Sequence, residues 1–438
     1  MNRLSPLRSI FCKDGASTLS VGITTGTLGV LFDLSFAALI FSNSLSDYLS
    51  AGIGFVLFSA AAARIMVALM SSFPGTVSDL AAIPTAILSW STGMVVRELP
   101  PTASPEELLV TVIVSIALTS LLTGLFLWTL GELKLGNIVR LLPNSVIGGF
   151  VASSGLLLVK GATEILIKQP LNTESFHNIG QSATHMLWLP GLLLELYLLV
   201  DTRRNRQSWV IASSLVGAIA LFYGSLSLFS ISPAQANTQG LTLGIPSLQT
   251  TWQLLSWSDL LQINWQAIGS QWMCAGTVSV LTAVLLLMNV KGLEMVMAHD
   301  IDFNYELKVA GSANVLLGMG GGILSFHSMG SSMLMHRLGG SSRWVTITGA
   351  ATFILLPVLF SSWLTYFPTS ILGGLLLYLG LSCLYEWVCR ARKKMAPMDY
   401  CIVQLIWVVS GIVGFLQALA LGWAIADGLL KHQYMNKG

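Results

Sequence analysis

Gly318-Met-Gly-Gly-Gly-Ile-Leu-Ser-Phe-His-Ser-Met-Gly-Ser-Ser-Met-Leu-Met-His-Arg-Leu-Gly-Gly340 is a glycine- and serine-rich break inside sequence that otherwise reads as membrane-embedded. A segment facing lipid cannot leave backbone donors and acceptors unpaired. Irregular backbone at that depth is therefore buried in protein or lines a watery cavity. The stretch predicts a short helix starting near Ser328 to Ser332, its free N–H groups and positive dipole end aimed at a ligand midway through the bilayer. The rest of the chain then serves as scaffold, partner half-helix and gate.

Composition sets the class. Of the 438 residues 54% are hydrophobic and only 10% charged, with a mean hydropathy of +0.74, a balance that predicts an all-α polytopic membrane protein. The five cysteines, Cys12, Cys274, Cys383, Cys389 and Cys401, are scattered without the paired spacing of a disulfide or zinc site and read as small core residues. Arg3, Arg8 and Lys13 precede a long apolar run without a small-residue cleavage site, so the first span is expected to stay in the membrane.

Apolar runs fall at 17–40, 51–72, 78–96, 107–131, 140–167, 182–200, 208–230, 272–292, 304–317, 322–336, 343–362, 369–386, 400–415 and 416–430, fourteen transmembrane segments in all. With the N-terminus inside, the positive-inside rule tests that count. Of 22 lysines and arginines, only Arg97, Lys160 and Lys168 fall outside; Arg64 is counted among the inner ones. The segment 231–271 has no lysine or arginine and belongs on the outer side, between a first repeat of seven spans at 17–230 and a second at 272–430. Residues 1–16 and the tail 431–438 are expected in the cytoplasm. An odd number of spans per repeat inverts one against the other and puts a binding site at their interface near the midplane.

A second interruption sits in the corresponding third span, Pro74-Gly-Thr-Val-Ser-Asp-Leu-Ala-Ala-Ile-Pro-Thr-Ala86. There Pro84 and the polar Thr76, Ser78 and Asp79 disturb the apolar pattern. Broken spans at matching positions of two repeats point to a solute site, with Ser78, Asp79, Leu80, Gly330, Ser331 and Ser332 as its expected binding residues. The alternative is two kinked helices with glycine at packing contacts.

Leu142-Pro-Asn-Ser-Val-Ile-Gly-Gly-Phe150 and Asn304-Tyr-Glu-Leu-Lys-Val-Ala-Gly-Ser-Ala-Asn314 carry a family resemblance, with Pro84, the glycine-serine break and Tyr366-Phe-Pro-Thr-Ser-Ile-Leu-Gly-Gly374 beside them. Together they resemble the SulP (sulfate permease) transporters and their solute-carrier relatives, from about residue 17 to 430. The resemblance implies a seven-plus-seven inverted repeat, a core of spans one to four and eight to eleven, and a gate of spans five to seven and twelve to fourteen. It also implies a dimer contact on the gate and an anion held between the N-termini of spans three and ten. Members usually end in a cytoplasmic STAS domain. This chain stops about eight residues after its last run, as a natural short form or a truncated one. A glutamate common in the eighth span is replaced, with Asn289 near its position and Lys291 and Glu294 following; Ser331 takes the place of a basic residue that some relatives carry in span ten.

Acids occur where an anion site is expected. Asp33 lies mid-span in the first run and Asp79 opens the third. An ionisable group within a bilayer costs roughly 2.5–3.5 kcal/mol on the insertion scale, so each should face a cavity or a partner. For Asp79 the alternative is capping of the helix that follows. An acid about 5 Å from a bound anion repels it by on the order of 3 kcal/mol at an effective dielectric near 20. A proton or Na⁺ on the carboxylate removes that repulsion and makes symport the natural mechanism. Alternatively the site binds a zwitterion or a cation, and a fungal vacuolar branch of the family, implicated in basic amino-acid handling, is similar in carrying an acid in the first span. Asp33, Asn289, Glu294 and His327 are the coupling candidates. Glu306 and Asn314 are expected to tie the inner loop or the ninth span together, with His336 and Arg337 as anchors at the inner end.

The expectation is a secondary active transporter of a small inorganic oxyanion of the sulfate or bicarbonate type, coupled to H⁺ or Na⁺. An amino-acid transporter on the same fold and an anion channel or sensor are the alternatives. No nucleophile–base pair, metal cluster or phosphate loop suggests an enzyme. No cofactor and no nucleic acid are expected. The expected partners are a small solute, the lipid bilayer and a second copy of the chain, in a bacterial inner or plasma membrane.

Overall fold

The computed structural model describes residues 14–136, 144–169, 171, 185–204, 209–244, 262–297, 300–412, 417, 418 and 421. Most of the fourteenth run, both termini and the middle of the 231–271 segment lie outside the described residues.

Thirteen helices follow the apolar runs: α1 Asp14–Ile40, α2 Leu49–Met70, α3 Ala82–Glu98, α4 Pro105–Glu132, α5 Asn144–Ile167, α6 His185–Arg204, α7 Trp209–Leu228, α8 Trp272–Met297, α9 Phe303–Met319, α10 Met329–Arg337, α11 Arg343–Leu359, α12 Thr369–Leu384 and α13 Pro397–Ile412. Among the described residues, six helices are long and apolar enough to cross a membrane by themselves. Large apolar side chains such as Leu122, Leu125, Leu196, Leu221 and Leu355 point outward, where a soluble protein would place charge. Serines and threonines turn inward and join helices, as between Thr123 and Ser279 (3.0 Å) and between Ser153 and Ser410 (2.5 Å).

Two short strands depart from the helical plan. β1 (Ser78–Leu80) and β2 (Ser325–His327) pair antiparallel, with Ser78 opposite His327, Asp79 opposite Phe326 and Leu80 opposite Ser325. The lead-in to each turns at a glycine with positive φ, Gly75 (φ 86°) and Gly321 (φ 80°), a conformation that a Cβ disfavours. Each strand feeds a helix, β1 into α3 and β2 into α10, so the antiparallel pairing sets the two helix N-termini against each other. The nine residues of α10 rise about 14 Å, half of a ~30 Å hydrocarbon core. The 17 residues of α3 rise about 25 Å, more than the half-crossing expected from the sequence. Pro84 falls in the first turn of α3, where its missing N–H breaks no helical bond, so it starts the helix instead of kinking it.

Helices α4 and α9 pack backbone to backbone: a Cβ on Gly124 would lie 2.5 Å from the amide nitrogen of Val315, and one on Gly311 2.5 Å from that of Trp128. α11 lies along α1 and α2, while α12 packs on α5 and α6, with α13 also on α5. The strand pair packs against α2, α8 and α9. One expectation fails here. Arg64, read as an inner-loop charge, lies within α2 with 1% of its surface exposed, held at depth by a carboxylate partner.

Candidate functional site

The irregular backbone around the strands is paired almost atom by atom. Asn314 of α9 presents its amide as a second peptide to β2: Nδ2 donates to the Ser325 carbonyl at 2.7 Å, and Oδ1 accepts from the Ser325 N–H at 2.8 Å. Asn289 Nδ2 donates to the His327 carbonyl at 2.8 Å, and Ser59 Oγ accepts from Ile323 N at 3.1 Å. On the other strand, Ser332 Oγ accepts from Val77 N at 2.9 Å, and Ser328 N donates to the Val77 carbonyl at 2.8 Å. Glu306 binds both repeats. One oxygen takes the Ser72 N–H (2.8 Å) and hydroxyl (2.5 Å), and the other meets His327 Nε2 at 2.6 Å. Buried peptide groups are thus satisfied in a setting without water.

The first turns of α3 and α10 border a cavity of about 390 Å³. Ala81, which opens α3, offers no side-chain cap, so the Ala82 and Ile83 amides at the cavity wall are uncapped donors. Ser328 caps α10, accepting from Ser331 N at 3.3 Å, and Gly330 lies at the wall beside it. Two positive dipole ends therefore face one space. Asp33 of α1 and Asn289 of α8 also line it, among apolar Phe32, Phe36 and Phe326. Asp33 is 2% exposed, and its Oδ2 has no hydrogen-bond partner among the described residues.

Asp79, at the cavity edge, is engaged on both oxygens. Arg64 Nη2 donates to Oδ1 and the Ser331 hydroxyl to Oδ2. The Arg64 guanidinium lies over the Phe353 ring, 4.3 Å from its centroid, and a Cβ on Gly29 would collide with it. Charge at depth is met by charge, and Asp79 does not cap α3.

Of the residues expected at the site, Asp79, Leu80, Gly330, Ser331, Asp33 and Asn289 line the cavity. Ser78 faces Ser325 Oγ at 3.1 Å, Ser332 holds Val77 and His327 holds Glu306; these three brace the strand pair and do not line the cavity. Glu294 lies beyond the cavity, ion-paired to Lys291 one turn away. Sequence reasoning missed Arg64. Its signal was an arginine well inside the apolar run 51–72, subject to the same insertion cost that singled out Asp33.

Two helices whose N-termini oppose each other across a strand pair, one of them a half-helix, inside a shell of apolar helices, define an integral membrane protein of inverted-repeat architecture. The transmembrane domain of a cyanobacterial bicarbonate transporter, BicA, shares this seven-plus-seven fold (TM-score 0.70, 16% identity, 94% of this chain and 97% of that one). So does the murine solute carrier 26 family member A9, an anion transporter solved in the inward-facing state (TM-score 0.74, 17% identity, 98% and 70%).

A profile of the sulfate permease family matches residues 16–406, and the chain belongs to that family. It is 24% identical over 334 residues to the vacuolar basic amino acid transporter VSB1 of Saccharomyces cerevisiae, covering 73% of this chain and 32% of that protein. It is 23% identical over 300 residues to a putative sulfate transporter of Bacillus subtilis, covering 67% and 56%. The chain thus spans from about a third to just over half the length of the curated relatives it matches.

Proposed function

We propose that the chain is a secondary active transporter of a small inorganic oxyanion, carried together with H⁺ or Na⁺. The observation that carries this reading is the pair of helix N-termini, α3 and α10, opposed across one cavity with uncapped amides at its wall. The anion accepts from those amides, in the way carboxylate and phosphate groups settle on helix starts. Arg64 neutralises Asp79 behind the site, so Asp79 does not repel the anion. Asp33 remains. Its unpartnered Oδ2 is where the coupled proton or Na⁺ sits while the anion is bound, removing a repulsion of on the order of 3 kcal/mol. The bicarbonate and sulfate transporters among the similar proteins support the substrate class.

Alternating access follows if the helices packed around the strand pair move as one body against α5–α7, α12 and α13, carrying the site between the two faces. We place this movement in a homodimer. Cross-linking in native membranes checks the assembly.

The same Asp33 oxygen supports a second reading, in which a solute amine pairs with the carboxylate, and the similarity to a basic amino acid transporter supports it too. Uptake of labelled sulfate, bicarbonate and arginine into proteoliposomes separates the two. The first reading expects saturable anion uptake driven by an imposed proton or sodium gradient. In Asp33→Asn, anion exchange should persist while gradient-driven accumulation disappears. Arginine uptake that Asp33→Asn abolishes, with no anion uptake, overturns it.

A further inference from the structure

The central cavity runs along α1 from Phe36 to Thr25, toward the Asp14 end of that helix. A second cavity, of about 370 Å³, begins one turn farther along the same helices in the other direction. Phe36 and Ile83 border the first, and Leu39 and Ala86, each three residues on, border the second. Three helical residues rise about 4.5 Å, so only a thin apolar partition separates the two. The partition is Leu39, seated in a notch that α5 leaves at Gly161; a Cβ there would collide with the Leu39 side chain. The Ser89 hydroxyl donates to the Leu39 carbonyl at 2.8 Å and holds the end of α1 in place.

The second cavity is lined by Arg97 and Lys160, both exposed, with Glu164 the acid in its wall. Glu164 is already occupied, accepting from Leu171 N at 3.1 Å. Arg97 and Lys160 are two of the three basic residues that defy the charge rule for the outer face. Cations there are disfavoured by membrane topology, and here they converge on a cavity that ends one turn from the site. We propose that this cavity is an anion-collecting vestibule, in which Arg97 and Lys160 hold a small oxyanion before Leu39 leaves the Gly161 notch and admits it. The inference rests on the carrier reading and extends it, assigning a second site and an entrance.

Gly93 gives a direct probe of the vestibule. It lines the cavity, and a Cβ built on it meets nothing within 4 Å, so Gly93→Cys places a thiol in open space. Its reaction with the anionic sulfonatoethyl and the cationic trimethylammonioethyl methanethiosulfonates, followed by peptide mass spectrometry in the full chain, reads the local potential without requiring transport. Two cations lining the same cavity should favour the anionic reagent, and Lys160→Gln with Arg97→Gln should lower the anionic-to-cationic rate ratio by on the order of tenfold at low ionic strength. Concentrated salt should erase the difference. Lys160→Arg with Arg97→Lys should keep the ratio and serves as the control for folding. A ratio that neutralisation leaves unchanged overturns the vestibule. Sulfate or bicarbonate uptake by the unmodified chain is measured in parallel. Uptake with no charge-dependent ratio refutes the vestibule alone, whereas the ratio without uptake of either anion refutes the carrier reading.

Discussion

Arg64 carries a guanidinium with 2% of its side chain exposed, bonded to Asp79 and laid across Phe353, and its Nε has no hydrogen-bond partner among the described residues. Removing one member of a buried ion pair strands the other. Arg64→Gln should therefore cost about 3–5 kcal/mol of stability. Arg64→Gln combined with Asp79→Asn should recover most of that loss, because two neutral amides at the same positions bury no charge. Thermal unfolding in detergent of the two single variants and the double one measures the coupling, expected at about 3 kcal/mol or more. Additive losses would show that the pair does not hold these side chains in place. Asp33 was readable as a candidate from the chain alone because an acid in the middle of an apolar run has few bland explanations. Arg64 met the same test, but an arginine within a run that ends on the inner side is also counted as a topology marker. Its partner, 15 residues on, lies beyond a helix end whose position the residues give only loosely.

The strand pair is the element through which the two repeats touch. Asn314 stands in for a third strand at its edge, and Asn314→Leu keeps the volume while orphaning the Ser325 N–H and carbonyl. The expected loss is about 2–4 kcal/mol, with hydrogen exchange rising at 323–327 and at 78–80 together, since each strand protects the other. Protection lost at 323–327 alone would mean that β1 is held by Ser332 and Glu306 without its partner. The glycines and serines of 318–340 and the Pro74–Ala86 interruption announced broken helices, and both breaks are present. Strands of three residues show no alternation long enough to read, and Ser78 and Ser325, whose hydroxyls meet across the pair, are 247 positions apart. For the same reason Ser78, Ser332 and His327 could be placed near the break but not assigned to bracing it. Glu306 and Asn314, expected to tie the ninth span together, do so by reaching the strands and their lead-ins.

At the scale of the whole molecule, flux requires that the partition at Leu39 and Gly161 open and close. A cysteine pair, Leu39→Cys with Gly161→Cys, should arrest uptake when oxidised and release it when reduced, as measured in the proteoliposome assay. Full transport by the oxidised pair would place the moving boundary elsewhere. The alternation of apolar runs and the placement of lysine and arginine announced the polytopic class, because both reflect the bilayer as solvent. The cavities lay beyond such reading, since the central one is assembled from helices of both repeats and the second from α1, α3 and α5, which are far apart in the chain.

The cross-repeat sheet also sets an order of events during synthesis. Once Ser78 has been added to the chain, 247 residues must follow before Ser325 exists, roughly 12 to 50 seconds at ordinary elongation rates. Throughout that interval the nascent amino-terminal half exposes the β1 edge and the face of α3 that packs on α8, with nothing to complete them. A chain arrested after its seventh span should therefore be bound by membrane chaperones and degraded, and co-expression of the carboxy-terminal half as a separate polypeptide should rescue it.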